Sequence, residues 1–189
     1  MHGKEIHRSL DAYELVYPGE SGTVERIRDL VRNHADCFKR SCLPGHITGS
    51  AWIVSADHKR HLLTHHRKLN RWLQVGGHSD GDARPDRIAL REAREESGMV
   101  QFEFAGTFEN NVPFDVDVHT ILARNQEPEH EHHDIRYLLI AADGQQVHVS
   151  DESHDVRWFT TEEVSVLTDE PSMLRMLGKV ERTLTRPRV

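Results

Sequence analysis

Three carboxylates, Glu92, Glu95 and Glu96, lie in the stretch 91–99, "REAREESGM", at i, i+3 and i+4, so a helix there puts all of them on one face. Two of them fall in the last turn before Gly98, where the helix already carries negative partial charge. Acid placed there costs roughly 0.3–1 kcal/mol per exposed residue. No basic side chain shares that face, so the cluster calls for an external cation. Hard oxygen donors suit Mg²⁺ or Mn²⁺, which keep several waters and take further ligands from substrate phosphates. Upstream, "WLQVGG" ends a strand on Gly76 and Gly77, where the backbone can come close enough to offer a carbonyl to a metal or amides to an anion. An ordinary solvated, Glu-rich helix face is the plainer alternative, and the acids at the wrong helix end together with the Gly-Gly turn weigh against it.

The elements that would position these groups can be read from spacing. Ile6, Leu10, Tyr13 and Tyr17 predict a helix over 5–17, closed by Pro18-Gly19, and Val24, Ile27, Leu30 and Val31 predict a second over 23–36. After Pro44-Gly45 the pattern turns strand-like in "ITGSAWIVSA", "HLLTHH" and "RWLQV". The carboxylate helix should start at Pro85 and end at Gly98, a first-turn proline and a C-cap glycine. Strands are expected at "VQFEFAGTF", "FDVDVHTIL", "DIRYLLIAA" and "DVRWF". A capping box at Thr160 and Glu163 then precedes a short helix, and a last helix from Pro171 carries Met173, Leu177, Val180 and Leu184. The order predicts a mixed α/β domain with a helical N-terminal extension.

The spacing also resembles the box of the Nudix hydrolases, G-x5-E-x7-R-E-U-x-E-E-x-G-U with U a bulky apolar residue. Gly77, Arg91, Glu92, Ala93, Glu95, Glu96, Gly98 and Met99 stand at the matching positions, with Ala93 smaller than the pattern asks. The first box Glu is replaced by Ala83, and a slipped loop that puts Asp82 in its role is the preferred account. The resemblance implies a Nudix-like α/β/α sandwich around a mixed sheet over 45–189, leaving 1–44 as the extension. It implies that Glu92, Glu95, Glu96 and the Gly76 carbonyl hold Mg²⁺ or Mn²⁺, and that Arg91 pairs with acids to fix the loop against the helix. It implies hydrolysis of a nucleoside diphosphate linked to another moiety. Glu92 is a candidate general base, with Glu127, Glu129 and Glu131 as others.

Other stretches bear on the substrate. Arg67 and Lys68, in a basic run just before the Gly-Gly turn, could receive an anionic group, and His78 follows that turn. Asp115, Asp117 and His119 share one side of a strand, as do His130, His132, Asp134 and Arg136. Each side alone reads as the solvent-facing half of an antiparallel sheet. Together they make a pocket wall, with Asp117, His119 and Arg136 as candidate substrate contacts, or a second His/Asp metal site.

Composition narrows the classes. The chain has 189 residues, net charge −7 and 15 histidines, and the acidic balance argues against binding a nucleic-acid polymer. No apolar run approaches a membrane span, and the first residues lack the apolar stretch of a signal peptide. Two cysteines, Cys37 and Cys42, fit a reduced, cytoplasmic setting, with a metal half-site a weaker reading. The expected partner is a small phosphorylated substrate, and the N-terminal helices could pack on the domain or form a homodimer surface. Two competing functions remain: an isopentenyl-diphosphate isomerase-like enzyme, which would be expected to present a catalytic cysteine, and a non-catalytic nucleotide-binding module.

Overall fold

The computed structural model describes residues 3–105, 112–124 and 127–184. Two helices, α1 (Gly3–Val16) and α2 (Ser21–Asn33), joined by a 3-10 turn at Pro18–Glu20, precede strand β1 (Gly45–Val54). Then come β2 (His61–His66), β3 (Arg71–Leu73), β4 (Val75–His78), helix α3 (Pro85–Ser97), β5 (Phe102–Phe104), β6 (Asp115–Ile121), β7 (His130–Ala141), β8 (Ser153–Phe159), α4 (Thr161–Leu167) and α5 (Pro171–Leu184). The strands form one mixed eight-stranded sheet. Its centre is β1, parallel to β7 from Gly45↔Glu131 to Val54↔Ile140, and antiparallel to β4 through Thr48↔His78 and Ser50↔Gly76.

Every residue of β1 is buried, as expected of a strand covered on both faces. Its alternate residues divide the core. Ile47, Ala51 and Ile53 join Ile135, Tyr137 and Leu139 of β7 in one cluster with α1, α2 and α3, while Trp52 and Val54 join Leu138 and the inner side chains of α4 and α5 in another. Ile6, Leu10 and Tyr13 of α1 and Val24 and Ile27 of α2 belong to the first cluster. The helices thus pack on the sheet's own core, and the expected extension is continuous with the domain in packing.

Helix predictions hold within a few residues. Gly98 adopts φ +70° as the C-cap of α3, and Thr160 and Glu163 form the reciprocal capping box of α4. Four strand expectations change. "RWLQV" divides at Gln74 into β3 and β4, which pair with β2 and β1 respectively. The strand expected at "VQFEFAGTF" is limited to Phe102–Phe104, and its 106–108 portion lies outside the described residues. Strand β7 begins at His130 instead of Asp134. The polar sides of β6 and β7 are largely withdrawn from solvent: Asp115, His130, Asp134 and Arg136 are buried, Asp117 and His132 are partly buried, and His119 is exposed.

That burial has a local cause. Arg136 donates to Asp134 at 2.7 Å, Asp115 at 3.1 Å and Asp117 at 3.2 Å. From α5, Arg175 reaches Asp115 at 2.9 Å and Asp117 at 3.0 Å, and Lys179 reaches Asp115 at 2.6 Å. Thr48 and Ser50 of β1 donate to Asp134. Buried charges are tolerated when paired and hydrogen-bonded in this way, so a face that alternation alone reads as wet is sealed by a helix carrying two cations. Lys179 itself is 2% exposed, beside rather than within the stripe of Met173, Leu177, Val180 and Leu184, and the buried face of α5 takes in Met176 and Lys179.

Candidate active site

Helix α3 crosses β1 and β4 closely because glycines remove the side chains in between. A Cβ at Gly49 would stand 2.7 Å from the Pro85 carbonyl oxygen and 2.8 Å from Ile88 Cβ, and one at Gly77 would stand 2.4 Å from Glu92 Oε1. The approach brings Glu92 and Glu96 inward against the Gly76-Gly77 strand. Glu96 is buried and accepts the Gly76 N–H at 2.9 Å. Glu92 takes a hydrogen bond from Arg91 at 2.7 Å, and the same Arg91 nitrogen donates to the His78 carbonyl oxygen at 2.8 Å. Arg91 thereby ties the helix to the end of β4, and its pairing with Glu92 and, at 3.8 Å, Glu95 corrects the expectation that no basic side chain shares the carboxylate face. Glu95 is the outermost of the three, its side chain 63% exposed.

Burial pushes the Glu92 carboxyl up, against the pull of Arg91, with Glu95 and Glu152 adding to the rise. Glu96 is raised by burial and by its neighbours Glu92 and Glu152 to about 7, against the opposing Gly76 hydrogen bond. Adjacent carboxylates held out of water in this way are neutralised by a proton or by a bound cation. Their oxygen donors, with the close Gly76-Gly77 backbone, fit Mg²⁺ or Mn²⁺ by chemical type.

Glu152, just before β8, is a carboxylate that sequence reasoning missed. It is brought to the site by β8 pairing with β2, a contact across many residues with no local signature. Its carbonyl accepts the Arg67 N–H at 3.1 Å, and the Arg67 guanidinium donates to the Ser153 carbonyl at 3.1 Å, so Arg67 stands on the Glu152 side of the site. Lys68 is exposed on the same turn.

The remaining candidates go elsewhere. Asp82 does not meet Arg91 by any hydrogen bond or ion pair among the described residues; its carboxylate accepts the Arg84 N–H at 2.9 Å, closing the turn before α3. Arg136 is a structural cation, committed to Asp134, Asp115 and Asp117. Asp117 also pairs with His119 at 3.2 Å. His78 lies on the opposite face of the sheet from α3, because it pairs with Thr48 while the neighbouring Gly49 and Gly77 face the helix. Glu131 pairs with Arg26 of α2 at 2.6 Å, and Glu127 bridges Arg124 through its backbone; Glu127 and Glu129 are exposed. Cys37 and Cys42 are buried free thiols, each pushed up by burial to about 11, a setting for an inert cysteine rather than a catalytic one.

A family profile described as NUDIX domain matches residues 46–179. No curated protein sequence matches the chain. Among solved structures, a NUDIX-family hydrolase from Clostridium perfringens is 23% identical over 72% of this chain and 97% of its own, with TM-score 0.55. An Ap4A hydrolase from C. elegans is 19% identical, covering 73% and 96%, with TM-score 0.58. A dihydroneopterin triphosphate pyrophosphohydrolase from E. coli is 16% identical, covering 72% and 92%, with TM-score 0.53. These likenesses establish the fold.

Proposed function

Because the chain belongs to the Nudix family, we propose that it hydrolyses the diphosphate linkage of a nucleoside diphosphate joined to a second moiety, with water attacking phosphorus. The observation that carries this reading is the pair of desolvated carboxylates, Glu92 and Glu96, pressed against Gly76-Gly77 with Glu152 nearby. Glu92, Glu95, Glu96 and the Gly76 carbonyl would hold Mg²⁺ or Mn²⁺. Such an ion, when bound, neutralises phosphate charge and makes water a better nucleophile.

The chain's own residues do the positioning. Arg91 fixes Glu92 and the His78 carbonyl on one guanidinium nitrogen, so the carboxylate and the Gly-Gly strand keep their relation when a charged substrate arrives. Arg67 and Lys68 supply positive charge beside Glu152 for the far phosphate or the second moiety. Glu92 and Glu152 are the candidates to accept the proton of the attacking water. His78, Asp117 and His119 lie on the sheet's opposite face, and His78 reaches the site only through the strand it shares with Gly77.

The test is release of phosphate or phosphomonoester from a panel of nucleoside diphosphate derivatives, with Mg²⁺ or Mn²⁺, by wild type and Glu96→Gln. Metal-dependent turnover that collapses in the variant supports the proposal and names the substrate class. Equal inertness of two folded, metal-binding proteins across the panel overturns it.

A further inference from the structure

On the sheet face away from α3, four histidines from three strands meet. The register aligns His46 of β1 with His132 of β7, and His130 stands two residues along the same side of β7. Ring centroids of His46 lie 5.0 Å from His130 and 4.8 Å from His132, while His78 of β4 stands 5.1 Å from each of His46 and His132. His46 is 1% exposed and His130 is 8% exposed. One potential ligand nitrogen from each of His46, His130 and His132 falls within 4.8 Å of the other two.

Packing alone does not account for this arrangement. Both ring nitrogens of His46 and Nε2 of His132 are buried without a hydrogen-bond partner. The Cys42 backbone lies near enough to His46 to favour its proton slightly, yet outside hydrogen-bond geometry. Buried polar atoms are normally satisfied, and an apolar side chain would fill the same space without that cost. His130 has one nitrogen committed: Nδ1 faces the Pro128 carbonyl oxygen at 2.8 Å, so it carries the proton and leaves Nε2 with a free lone pair. A backbone acceptor that fixes the tautomer is the usual support behind a metal-ligating histidine.

We propose that His46, His130 and His132 form a Zn²⁺ site on the face of the sheet opposite the box carboxylates. Imidazole donors select zinc and its late transition-metal neighbours over Mg²⁺, Ca²⁺ or Mn²⁺. Ligand nitrogens on one zinc at 2.0–2.1 Å stand roughly 3.3 Å apart, so modest ring rotations from the present spacing complete the shell. Burial and the neighbouring histidines favour the neutral, metal-binding form of His46 and His132. His78 is not a fourth ligand in this arrangement. Its Nδ1 accepts from Arg40 at 2.7 Å, which puts the ring proton on Nε2. The fourth position is left to water or to an incoming ligand. Through His78 the site touches the strand that carries Gly76 and Gly77, so zinc would brace that strand from behind.

The experiment uses the full chain without a polyhistidine tag, titrated with ZnCl₂ in a competing chelator and excess Mg²⁺. One zinc per chain is expected, with affinity lowered by at least about 100-fold in His46→Ala and His132→Gln and unchanged in Glu96→Gln. Retention in Glu96→Gln separates this site from the carboxylates, so the zinc site and the hydrolase reading fail independently. X-ray absorption of the zinc-loaded wild type must show imidazole scattering, a readout that stands even where a histidine variant does not fold. An oxygen-only shell, stoichiometric binding that survives both histidine changes, loss in Glu96→Gln, or no stoichiometric binding overturns the proposal.

Discussion

Glu96 and Gly76 are joined by a 2.9 Å hydrogen bond from a strand amide to a buried carboxylate. The same group that braces the helix against the strand is the one burial and like charge raise most at the site. Its folded pKa, about 7, exceeds the ordinary 4.5, so the metal-free fold holds a proton that the unfolded chain releases.

Metal-free protein should therefore lose stability as pH rises from about 4.5 to about 7, and Glu96→Gln should remove that loss. In chelator at pH 8 the variant should be more stable by on the order of 2 kcal/mol, while its turnover with metal falls at least about 100-fold. Paired thermal melts and activity assays check both halves.

Gly77→Ala should separate activity from stability in the other direction. The new Cβ meets Glu92 Oε1 at 2.4 Å, and the end of that side chain can move aside. Stability should change by less than about 1 kcal/mol, with turnover reduced roughly tenfold or more by a displaced carboxylate. Steady-state kinetics beside a urea titration would register the split.

Asp115 is fully buried between Arg136, Arg175 and Lys179. Asp115→Ala leaves those cations facing one another and should cost about 3–5 kcal/mol. Lys179→Met should cost less, because Asp115 retains two guanidinium partners. Urea midpoints rank the two.

Burial alone would raise the Asp117 carboxyl, but His119, Arg136 and Arg175 together hold it well below the usual carboxylate range. A depressed folded pKa gives stability that is present above the ordinary 3.8 and lost as pH falls below it. Wild type should weaken steeply between about pH 5 and pH 2, and Asp117→Asn should flatten that slope. Denaturant midpoints across the acid range test this.

Removal of residues 1–34 should abolish the cooperative melt, because Ile6, Leu10, Tyr13, Val24 and Ile27 are part of the sheet's own core. A truncated chain with wild-type melting would return α1 and α2 to the status of an appendage.

The local elements were legible because their signals are local. Helical spacing, Pro85, Gly98 and the Thr160–Glu163 box each specify an end or a face within a few residues, and the Arg91–Glu96 spacing identified the family. What strand alternation cannot report is what covers the polar side. Asp115, Asp117 and Asp134 have the pattern of a wet face, and it is made dry by Arg136 on the neighbouring strand and by Arg175 and Lys179, some sixty residues after Asp115. Glu152 was hidden for the same reason, since the β2–β8 pairing that delivers it leaves no mark near residue 152. His46 lay outside every cluster of histidines visible in the linear chain and joins His130 and His132 only through the parallel pairing of β1 with β7.

Lys179 of α5 donates to the Tyr13 hydroxyl at 2.7 Å, pairs with Glu20 at 2.7 Å, and sits 4.1 Å from the centre of the Tyr17 ring. On the ribosome, the first helices emerge well over a hundred residues before the amine that they and Asp115 receive. The helices that precede the sheet must wait for a residue that follows it, so the lock between them closes only after every strand has been made.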